Sequence, residues 1–193
     1  MNRGHWFWLL LGSLLSFSHL QGQSGFTEVA ISAGIEQKVF SWAAMAGGSA
    51  WFDYDRDGDE DLYTSGGWIG NKLWRNEGNG TFTDVTQAAG LILPDSITTQ
   101  GVVTGDIDND GYREIYLSTW WNEQNYLFHN QGNGTFIDIS LSSGLGVDSG
   151  WVSSAAFADF DRDGLLDLYT ANYVRETGTL SDSMGNDTGY SHR

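Results

Sequence analysis

Short apolar segments alternate along the chain with acidic segments that have a glycine near their centre. Three runs of small or apolar residues, GGSAWF, GVVTG and SSAAFA, each precede an acidic segment, and an apolar pair such as Leu62-Tyr63 follows it. Segments of this length and composition are typical of β-strands. Two more strands are predicted around Gly-Asn-Gly in LWRNEGNGTF and in LFHNQGNGTF, because Asn-Gly is the strongest short signal for a hairpin.

This pattern is a repeat with a period of 53 residues. The acidic segments DYDRDGDEDLY, DIDNDGYREIY and DFDRDGLLDLY begin at Asp53, Asp106 and Asp159, and the hairpin segments repeat in step. A partial copy, FTEVAISAGI, begins at Phe26. Four short strands in about 50 residues are typical of a β-propeller blade, whereas a β-sandwich does not explain the regular spacing. We therefore expect an all-β fold in which residues 26–173 form consecutive antiparallel four-stranded blades.

Each acidic segment places carboxylates at alternate positions of a nine-residue loop. We number these positions 1 to 9 in loop 1 (residues 53–61), loop 2 (residues 106–114) and loop 3 (residues 159–167). Positions 1, 3, 5 and 9 are acidic in every loop: Asp53, Asp55, Asp57 and Asp61; Asp106, Asp108, Asp110 and Glu114; Asp159, Asp161, Asp163 and Asp167. Position 6 is always glycine, which permits the backbone reversal that turns alternate side chains towards one centre.

This arrangement predicts about three calcium sites. The backbone carbonyl at position 7 would add an oxygen to the carboxylates, and this position is Asp59, Tyr112 or Leu165. A cage of about six oxygens suits Ca²⁺ and is looser than Mg²⁺ accepts. One such loop could equally be a solvated acidic turn, but three copies in register favour metal binding. An EF-hand is excluded because it needs a glutamate at position 12, where this chain has Thr64, Leu117 and Thr170.

The even positions of the loops are predicted to have structural roles. Position 2 is apolar in each loop and is expected to pin the loop to a core; it is Tyr54, Ile107 or Phe160. Position 4 is expected to point away from the carboxylates and partly offset their charge; it is Arg56, Asn109 or Arg162.

The charge balance narrows the classes of partner. Of 193 residues, 25 are acidic and 9 are lysine or arginine, which gives a formal net charge of -16. This charge argues against binding to nucleic acid or to an anionic membrane surface. Because 40% of the residues are hydrophobic, the chain should fold despite its acidity. It has no cysteine, so bound metal is the expected cross-link in place of disulfides.

Residues 1–22 are predicted to be a signal peptide. A basic start at Arg3 precedes an apolar run from Trp6 to Phe17, and small and polar residues follow. The run is too short to span a bilayer but has the length of a signal-peptide core. We therefore expect a protein that is secreted, periplasmic or at the cell surface, with no membrane span after the signal is removed.

The loops and the segments between them resemble the FG-GAP (VCBS) repeat, the blade unit of integrin-α-type seven-bladed propellers, in which DxDxDGxxD loops bind calcium. GSAWFDYDRDGDEDLYTSG, LWRNEGNGTFTDVTQAAGL and LDLYTANYV are similar to segments of the cartilage acidic protein family, whose bacterial members carry an ASPIC/UnbV domain after the propeller. The resemblance covers residues 26 to about 174. It implies a calcium-binding propeller for cell adhesion or recognition, with an extracellular protein or glycan as ligand and no agreed chemistry.

The chain contains two complete units and the start of a third. Residues 23–193 are therefore predicted to be a partial propeller that ends in a loop, RETGTLSDSMGNDTGYSHR. Because blades need neighbours to bury their faces, we expect the natural gene to continue past Arg193 and to encode the remaining blades, which would pack against these.

Catalysis is not expected from these residues. His5 and His19 lie in the signal peptide and His192 lies in the tail, while His129 takes the strand place of Arg75 and is expected to be structural. No GxSxG, HExxH or phosphate-binding loop is present. The alternative is the propeller portion of an extracellular carbohydrate-active enzyme, or a carbohydrate-binding module.

A carbohydrate-binding module would stack tryptophans on sugar rings. Trp51 and Trp74 are predicted to lie in the blade core. The better ligand candidates follow the strands after the acidic loops, and they are Trp68, Trp120 and Trp121. Core or inter-blade packing is the favoured interpretation for these residues as well. The remaining tryptophans after the signal peptide are Trp42 and Trp151.

Overall fold

The computed structural model describes residues 27–36, 47–67, 70–94, 96–120, 123–145 and 151–174. Within these ranges the regular structure is β-strand, and no helix is long and apolar enough to cross a membrane. The predictions for the signal peptide, for the tail after Val174 and for three of the tryptophans (Trp42, Trp68 and Trp121) lie outside the described residues.

The first two repeat units each form a four-stranded antiparallel sheet. Sheet 1 consists of β1 (Ser49–Phe52), β2 (Asp61–Thr64), β3 (Lys72–Asn76) and β4 (Phe82–Asp84). Sheet 2 consists of β5 (Thr99–Gly105), β6 (Glu114–Thr119), β7 (Tyr126–Asn130) and β8 (Phe136–Asp138). Strands that follow each other in the chain are neighbours in both sheets. The prediction of four-stranded sheets is thus confirmed for these two units.

The described part of the third unit is a strand pair, sheet 3. It consists of β9 (Trp151–Ala158) and β10 (Asp167–Val174), which pair antiparallel. The first strands of the three sheets are neighbours in chain order, since β5 contacts both β1 and β9. Each acidic loop joins the first strand of its sheet to the second, so the three loops lie at equivalent edges, as predicted.

Equivalent residues keep the same register in sheets 1 and 2. Leu62 pairs with Trp74, and Ile115 pairs with Phe128. The Asn-Gly hairpins are also equivalent, because Asn79 Oδ1 accepts a hydrogen bond from Thr81 N–H at 3.0 Å and Asn133 repeats this bond at 3.0 Å. The asparagine side chain therefore closes the predicted turn in both units.

A hydrophobic core joins sheet 1 to sheet 2. Its buried side chains come from both sheets and include Phe52, Tyr63, Leu73, Ile115, Leu117 and Phe128. Within this core, the Tyr54 ring of loop 1 stacks on Phe136 of β8, with 6.2 Å between ring centroids. Burial of each large apolar side chain contributes about 1.5–3 kcal/mol, so each sheet depends on its neighbour for stability.

A turn at residues 85–91 fastens sheet 1 to the outer strand of sheet 2. Ala89 O accepts a hydrogen bond from Phe136 N–H at 2.8 Å. The next residue, Gly90, has φ +77°, and a Cβ placed there would lie 3.0 Å from Phe136 O. Glycine is therefore required twice here, for its backbone conformation and for the close approach of β8.

The partial repeat near the start of the chain uses the same contact. Ala33 O accepts from Phe82 N–H at 2.8 Å, and a Cβ on Gly34 would lie 2.9 Å from Phe82 O. Residues 29–35 thus dock on β4 as the turn at residues 85–91 docks on β8. The outer turn of one unit is what the next unit packs against.

Two side chains that the sequence assigns to a core are exposed. Trp51 is 53% exposed and Phe160 is 61% exposed, so these predictions are wrong for the described residues, whereas Trp74 is buried as expected. The equivalent of Trp51 in β9, Phe157, packs back against Gly105 of sheet 2, and no described sheet lies on that side of sheet 1. Position 2 of a loop faces the next sheet, as Tyr54 does, and none of the described strands lies beyond sheet 3.

Substitution of Gly90 should destabilise the protein more than substitution of Gly144. Gly144 has φ +79° in the equivalent turn of the next unit, but a Cβ there would meet nothing within 4 Å. Gly144→Ala should therefore cost only the left-handed backbone strain, about 1 kcal/mol, and Gly90→Ala should cost at least about 1 kcal/mol more because it also displaces β8. Urea unfolding of both variants measures the difference. Equal losses would contradict this docking contact.

Candidate metal sites

The carboxylate at position 1 organises the backbone of each acidic loop. In loop 1, Asp53 Oδ1 accepts from Asp57 N–H at 3.1 Å and Asp53 Oδ2 accepts from Gly58 N–H at 3.0 Å. Loops 2 and 3 repeat both bonds: Asp106 accepts from Asp110 at 3.1 Å and Gly111 at 3.0 Å, and Asp159 accepts from Asp163 at 3.1 Å and Gly164 at 3.1 Å. Three sequences that differ at other positions therefore fold into one loop structure.

This loop structure brings carboxylate oxygens together. In each loop, three side chains offer one oxygen each within 4.8 Å of the others: Asp53, Asp55 and Asp57 in loop 1; Asp106, Asp108 and Asp110 in loop 2; Asp159, Asp161 and Asp167 in loop 3. Partial burial, and then the charge of Asp57, raise the pKa of Asp55. Crowded carboxylates of this kind favour either a proton or a bound cation.

The acid at position 9 fastens the loop to the sheet, and in loops 1 and 2 it is fully buried. Asp61 Oδ1 accepts from Asn76 N–H at 2.7 Å, and Asp61 Oδ2 accepts from Tyr54 N–H at 3.1 Å. Its side chain is fully buried, and burial raises its pKa to about 6. In loop 3, Asp167 Oδ2 accepts from Phe160 N–H at 3.1 Å in the same way. Each carboxylate oxygen has a second lone pair, so these bonds leave it able to bind a cation.

Glu114 at position 9 of loop 2 contacts the loop and the neighbouring strand, as Asp61 does, and it also contacts a histidine. Its Oε2 accepts from Ile107 N–H at 2.9 Å and its Oε1 accepts from Asn130 N–H at 3.3 Å. His129 Nδ1 lies 3.2 Å from Glu114 Oε1 and 3.5 Å from Asp108 Oδ2. Burial raises the pKa of Glu114. His129 is thus at the loop, whereas the sequence predicts only a structural role for it in the strand.

Position 4 adopts an unexpected backbone conformation and reaches the next loop. Arg56, Asn109 and Arg162 have φ of 62°, 61° and 65°. The Arg56 guanidinium lies 5.2 Å from the centroid of the Tyr112 ring in loop 2, and Asn109 Nδ2 donates to Gly164 O in loop 3 at 2.9 Å. The prediction for position 4 did not include these contacts, which link consecutive loops.

Position 7 supplies its backbone N–H to the loop as well as its predicted carbonyl. The N–H groups of Asp59, Tyr112 and Leu165 donate to the position 5 carboxylates at 2.9, 2.7 and 2.8 Å. These bonds hold position 7 next to the carboxylates. The role of the three carbonyl oxygens as ligands stays a prediction.

A polar cleft opens between loop 1 and the hairpin of sheet 2. It has a volume of about 490 Å³, and Tyr54, Asp55 and Arg75 line one wall. The hairpin residues 132–135 form the opposite wall, and Val85 and Ala88 add apolar surface. A cleft of this size can hold a small ligand. This cleft could not be predicted from the sequence, because its walls come from two different units.

The described tryptophan among the ligand candidates packs against another tryptophan. The Trp120 ring lies against Trp151, with 4.2 Å between centroids, where sheet 2 meets sheet 3. This contact agrees with the inter-blade packing that the sequence analysis favoured.

The repeats match a known family over most of the described residues. The profile of the FG-GAP-like repeat matches residues 53–117 and 118–170. The chain belongs to the FG-GAP-like repeat family. Its all-β structure, with antiparallel four-stranded sheets, is consistent with the β-propeller blades of this family.

The chain is also similar to the cartilage acidic proteins, as the sequence motifs indicated. It is 39% identical over 74 residues to Cartilage acidic protein 1 of Mus musculus, which is 38% of this chain and 11% of that protein. The proteins of the same name from Xenopus tropicalis and Homo sapiens are each 36% identical over 74 residues, again 11% of their length. The chain therefore matches about a tenth of the length of these relatives.

The chain is less similar to a solved lectin structure than to the cartilage acidic proteins. A solved Agrocybe aegerita lectin, described as recognising non-reducing terminal N-acetylglucosamine, covers 67% of this chain, and the match spans 34% of the lectin. The sequence identity is 21% and the TM-score is 0.38, so this likeness carries no argument about the fold or the ligand of the FG-GAP chain.

The donors of the loops fit a hard cation. Loops 1 and 3 gather carboxylate oxygens only, which suit Ca²⁺, whereas loop 2 adds an imidazole nitrogen. Sequence reasoning missed His129, but strand pairing could have found it. Since β6 and β7 pair Ile115 with Phe128, the residues next to this pair, Glu114 and His129, must be close in space.

Protonation of Asp61 should make metal-free protein more stable as the pH falls from about 6 to about 4. In this window the folded chain, with an Asp61 pKa of about 6, binds a proton that the unfolded chain, with an ordinary pKa of 3.8, does not bind. One extra proton changes the free energy of unfolding by at most about 1.4 kcal/mol per pH unit. Urea unfolding in chelator should therefore show a steeper rise for the wild type than for Asp61→Asn. The same pH dependence in both proteins would contradict the assignment.

Proposed function

We propose that the three acidic loops bind Ca²⁺ and that the chain is the calcium-binding β-propeller part of an exported recognition or adhesion protein. The observation that carries this proposal is the threefold repetition of one loop structure, in which carboxylate oxygens converge within 4.8 Å. Positions 1, 3, 5 and 9, with the carbonyl at position 7, would hold the ion. The signal peptide predicted for residues 1–22 supports a secreted, periplasmic or cell-surface location, where calcium is abundant.

Calcium would act here as a cross-link. The three loops contain more than half of the Asp and Glu residues of the chain, and the chain has no cysteine with which to form a disulfide. An ion in loop 1 would bind carboxylates that precede β2 together with Asp61 of β2, and so would hold the loop on sheet 1. The bond of Asp61 to Asn76 N–H extends this hold to β3. Metal binding would thus stabilise the folded arrangement of loop 1, β2 and β3.

A second candidate function is the recognition of a saccharide in the cleft of about 490 Å³ between sheets 1 and 2. The walls combine the Asp55 carboxylate, the Arg75 guanidinium and the polar hairpin residues Asn133 and Thr135 with apolar surface from Val85 and Ala88, and this mixture suits the hydroxyl groups and apolar faces of a sugar. Asp55 belongs both to this cleft and to loop 1, so calcium in loop 1 would also position one wall of the cleft.

Removal of calcium should lower the melting temperature and increase sensitivity to protease. Extracellular calcium modules bind at about 10⁻⁴–10⁻³ M, so millimolar calcium should largely fill each loop. A ligand at ten times its dissociation constant stabilises by about 1.4 kcal/mol per site. Calcium should restore the melting temperature better than magnesium. Calorimetric titration of chelated protein measures the stoichiometry directly, and the absence of calcium uptake by folded protein would refute the proposal.

A matched pair of variants in loop 1 separates a ligand from a surface charge. Asp55→Asn should weaken one calcium site about tenfold or more, because it removes a charged ligand. Glu60→Gln removes the same charge from an exposed side chain of the same loop and should leave the affinity within about twofold. Equal effects in the two variants would mean that the loop attracts calcium only by its overall charge.

A bulky side chain at Ala88 should abolish saccharide binding. Ala88→Phe would fill the cleft, whereas Ser142→Phe adds the same ring at the equivalent exposed position of the next unit. Glycan array binding followed by saturation-transfer NMR should show at least about a tenfold loss for Ala88→Phe and no change for Ser142→Phe. Binding that survives Ala88→Phe would place the ligand elsewhere. Turnover of a bound glycan would favour a carbohydrate-active enzyme instead.

A further inference from the structure

His129 distinguishes loop 2 from the other two loops. The side chains of Asp108, Glu114 and His129 each offer one ligand atom within 4.8 Å of the other two. In loops 1 and 3 the corresponding groups contain carboxylates only. We propose that loop 2 with His129 binds a first-row transition metal ion such as Zn²⁺ in preference to Ca²⁺, whereas loops 1 and 3 prefer Ca²⁺. The inference rests on the proposed metal binding of these loops and assigns a different ion to one of them.

The chemistry of the donors supports this ion. An imidazole nitrogen with carboxylate oxygens suits Zn²⁺ and its neighbours, whereas Ca²⁺ is bound by oxygen ligands. His129 Nδ1 lies 3.2 Å from Glu114 Oε1 and 3.5 Å from Asp108 Oδ2, so one ion could reach all three side chains after a small adjustment. Three protein ligands also leave a position for water, as in many zinc sites.

The surroundings of Glu114 hold it in place for an ion. Its two oxygens accept hydrogen bonds from Ile107 N–H and Asn130 N–H, and its side chain is fully buried. Backbone donors of this kind orient a metal ligand from behind. The side chains of His129 and Asp108 are 27% and 46% exposed, so an ion can enter from the solvent side.

The two complete units differ at the position of His129 and at the residue two positions after it. The strand place of His129 is occupied in sheet 1 by Arg75, whose Nε and Nη2 both donate to Glu77 Oε1. In sheet 2 the residue two positions after His129 is Gln131, which carries no charge. Both members of the ion pair are thus replaced together. A guanidinium cannot bind a metal, whereas an imidazole can, so the second unit has lost a fixed positive charge beside its loop and gained a ligand.

The test is a zinc titration in the presence of calcium. Chelator-stripped chain is titrated by calorimetry with Zn²⁺ in millimolar calcium, and Co²⁺ serves as a spectroscopic probe of nitrogen ligation. The wild type should take up one equivalent of zinc. His129→Gln and His129→Arg should each lower the zinc affinity at least about tenfold. Arg75→Gln, the matched change in sheet 1, should leave zinc binding unchanged.

A measurement on the unmodified chain removes any dependence on the folding of the variants. Zinc should shift the ring-nitrogen resonances of His129 in ¹H–¹⁵N spectra, and calcium should not. Zinc uptake that is equal in the wild type and His129→Gln, or zinc that leaves the His129 ring unmoved, would overturn the inference.

The same experiment separates this inference from the proposed calcium function. If calcium fills the loops but zinc ignores His129, the inference fails and the calcium proposal stands. If the loops take up no calcium while zinc binds through His129, the calcium proposal fails and the zinc site stands.

Discussion

The carboxylate at the ninth position of each acidic loop, fully buried in loops 1 and 2, makes the interaction on which the rest of the structure depends. In loop 1 this carboxylate accepts hydrogen bonds from the loop, at Tyr54 N–H, and from the neighbouring strand, at Asn76 N–H. One side chain therefore sets where the loop ends, where β2 begins and how β3 lies beside it. Because burial raises its pKa, the group also couples the fold to protons and, in our proposal, to calcium.

The position of the loops follows from how the sheets pack. Each sheet buries one face only when the next sheet covers it, and a turn from the preceding unit closes the outer edge of the sheet. Ala89 O and Ala33 O make this contact at the same distance of 2.8 Å in two successive units. The packing of the sheets and these turn contacts therefore fix the positions of the acidic loops. In this arrangement a cleft lies between Asp55 of one unit and the hairpin of the next.

Much of the fold could be predicted from the sequence, because the acidic loops repeat every 53 residues and the hairpin segments, which carry Asn-Gly, repeat after 54. The carboxylates of the candidate sites could be predicted for the same reason. Burial was harder to predict, since it depends on the neighbouring sheet and not on the residue itself. Trp51 and Phe160 have the apolar character of core residues but lie on faces that no described sheet covers. The left-handed conformation of Arg56 was unexpected because arginine has no special preference for it.

The contacts between consecutive loops give the units a fixed order. Arg56 lies over Tyr112 of the following loop, while Asn109 bonds to the backbone of the loop after that. The first two units therefore each carry, at position 4, a side chain that contacts the loop of the unit that comes next. Tandem duplication would at first produce interchangeable units, but once such contacts diverge, exchange of a single inner unit disturbs two junctions, and insertion of a unit creates two unmatched ones. A block of neighbouring units that is exchanged together keeps its inner junctions, so it loses fewer of these contacts per unit than units that are exchanged singly.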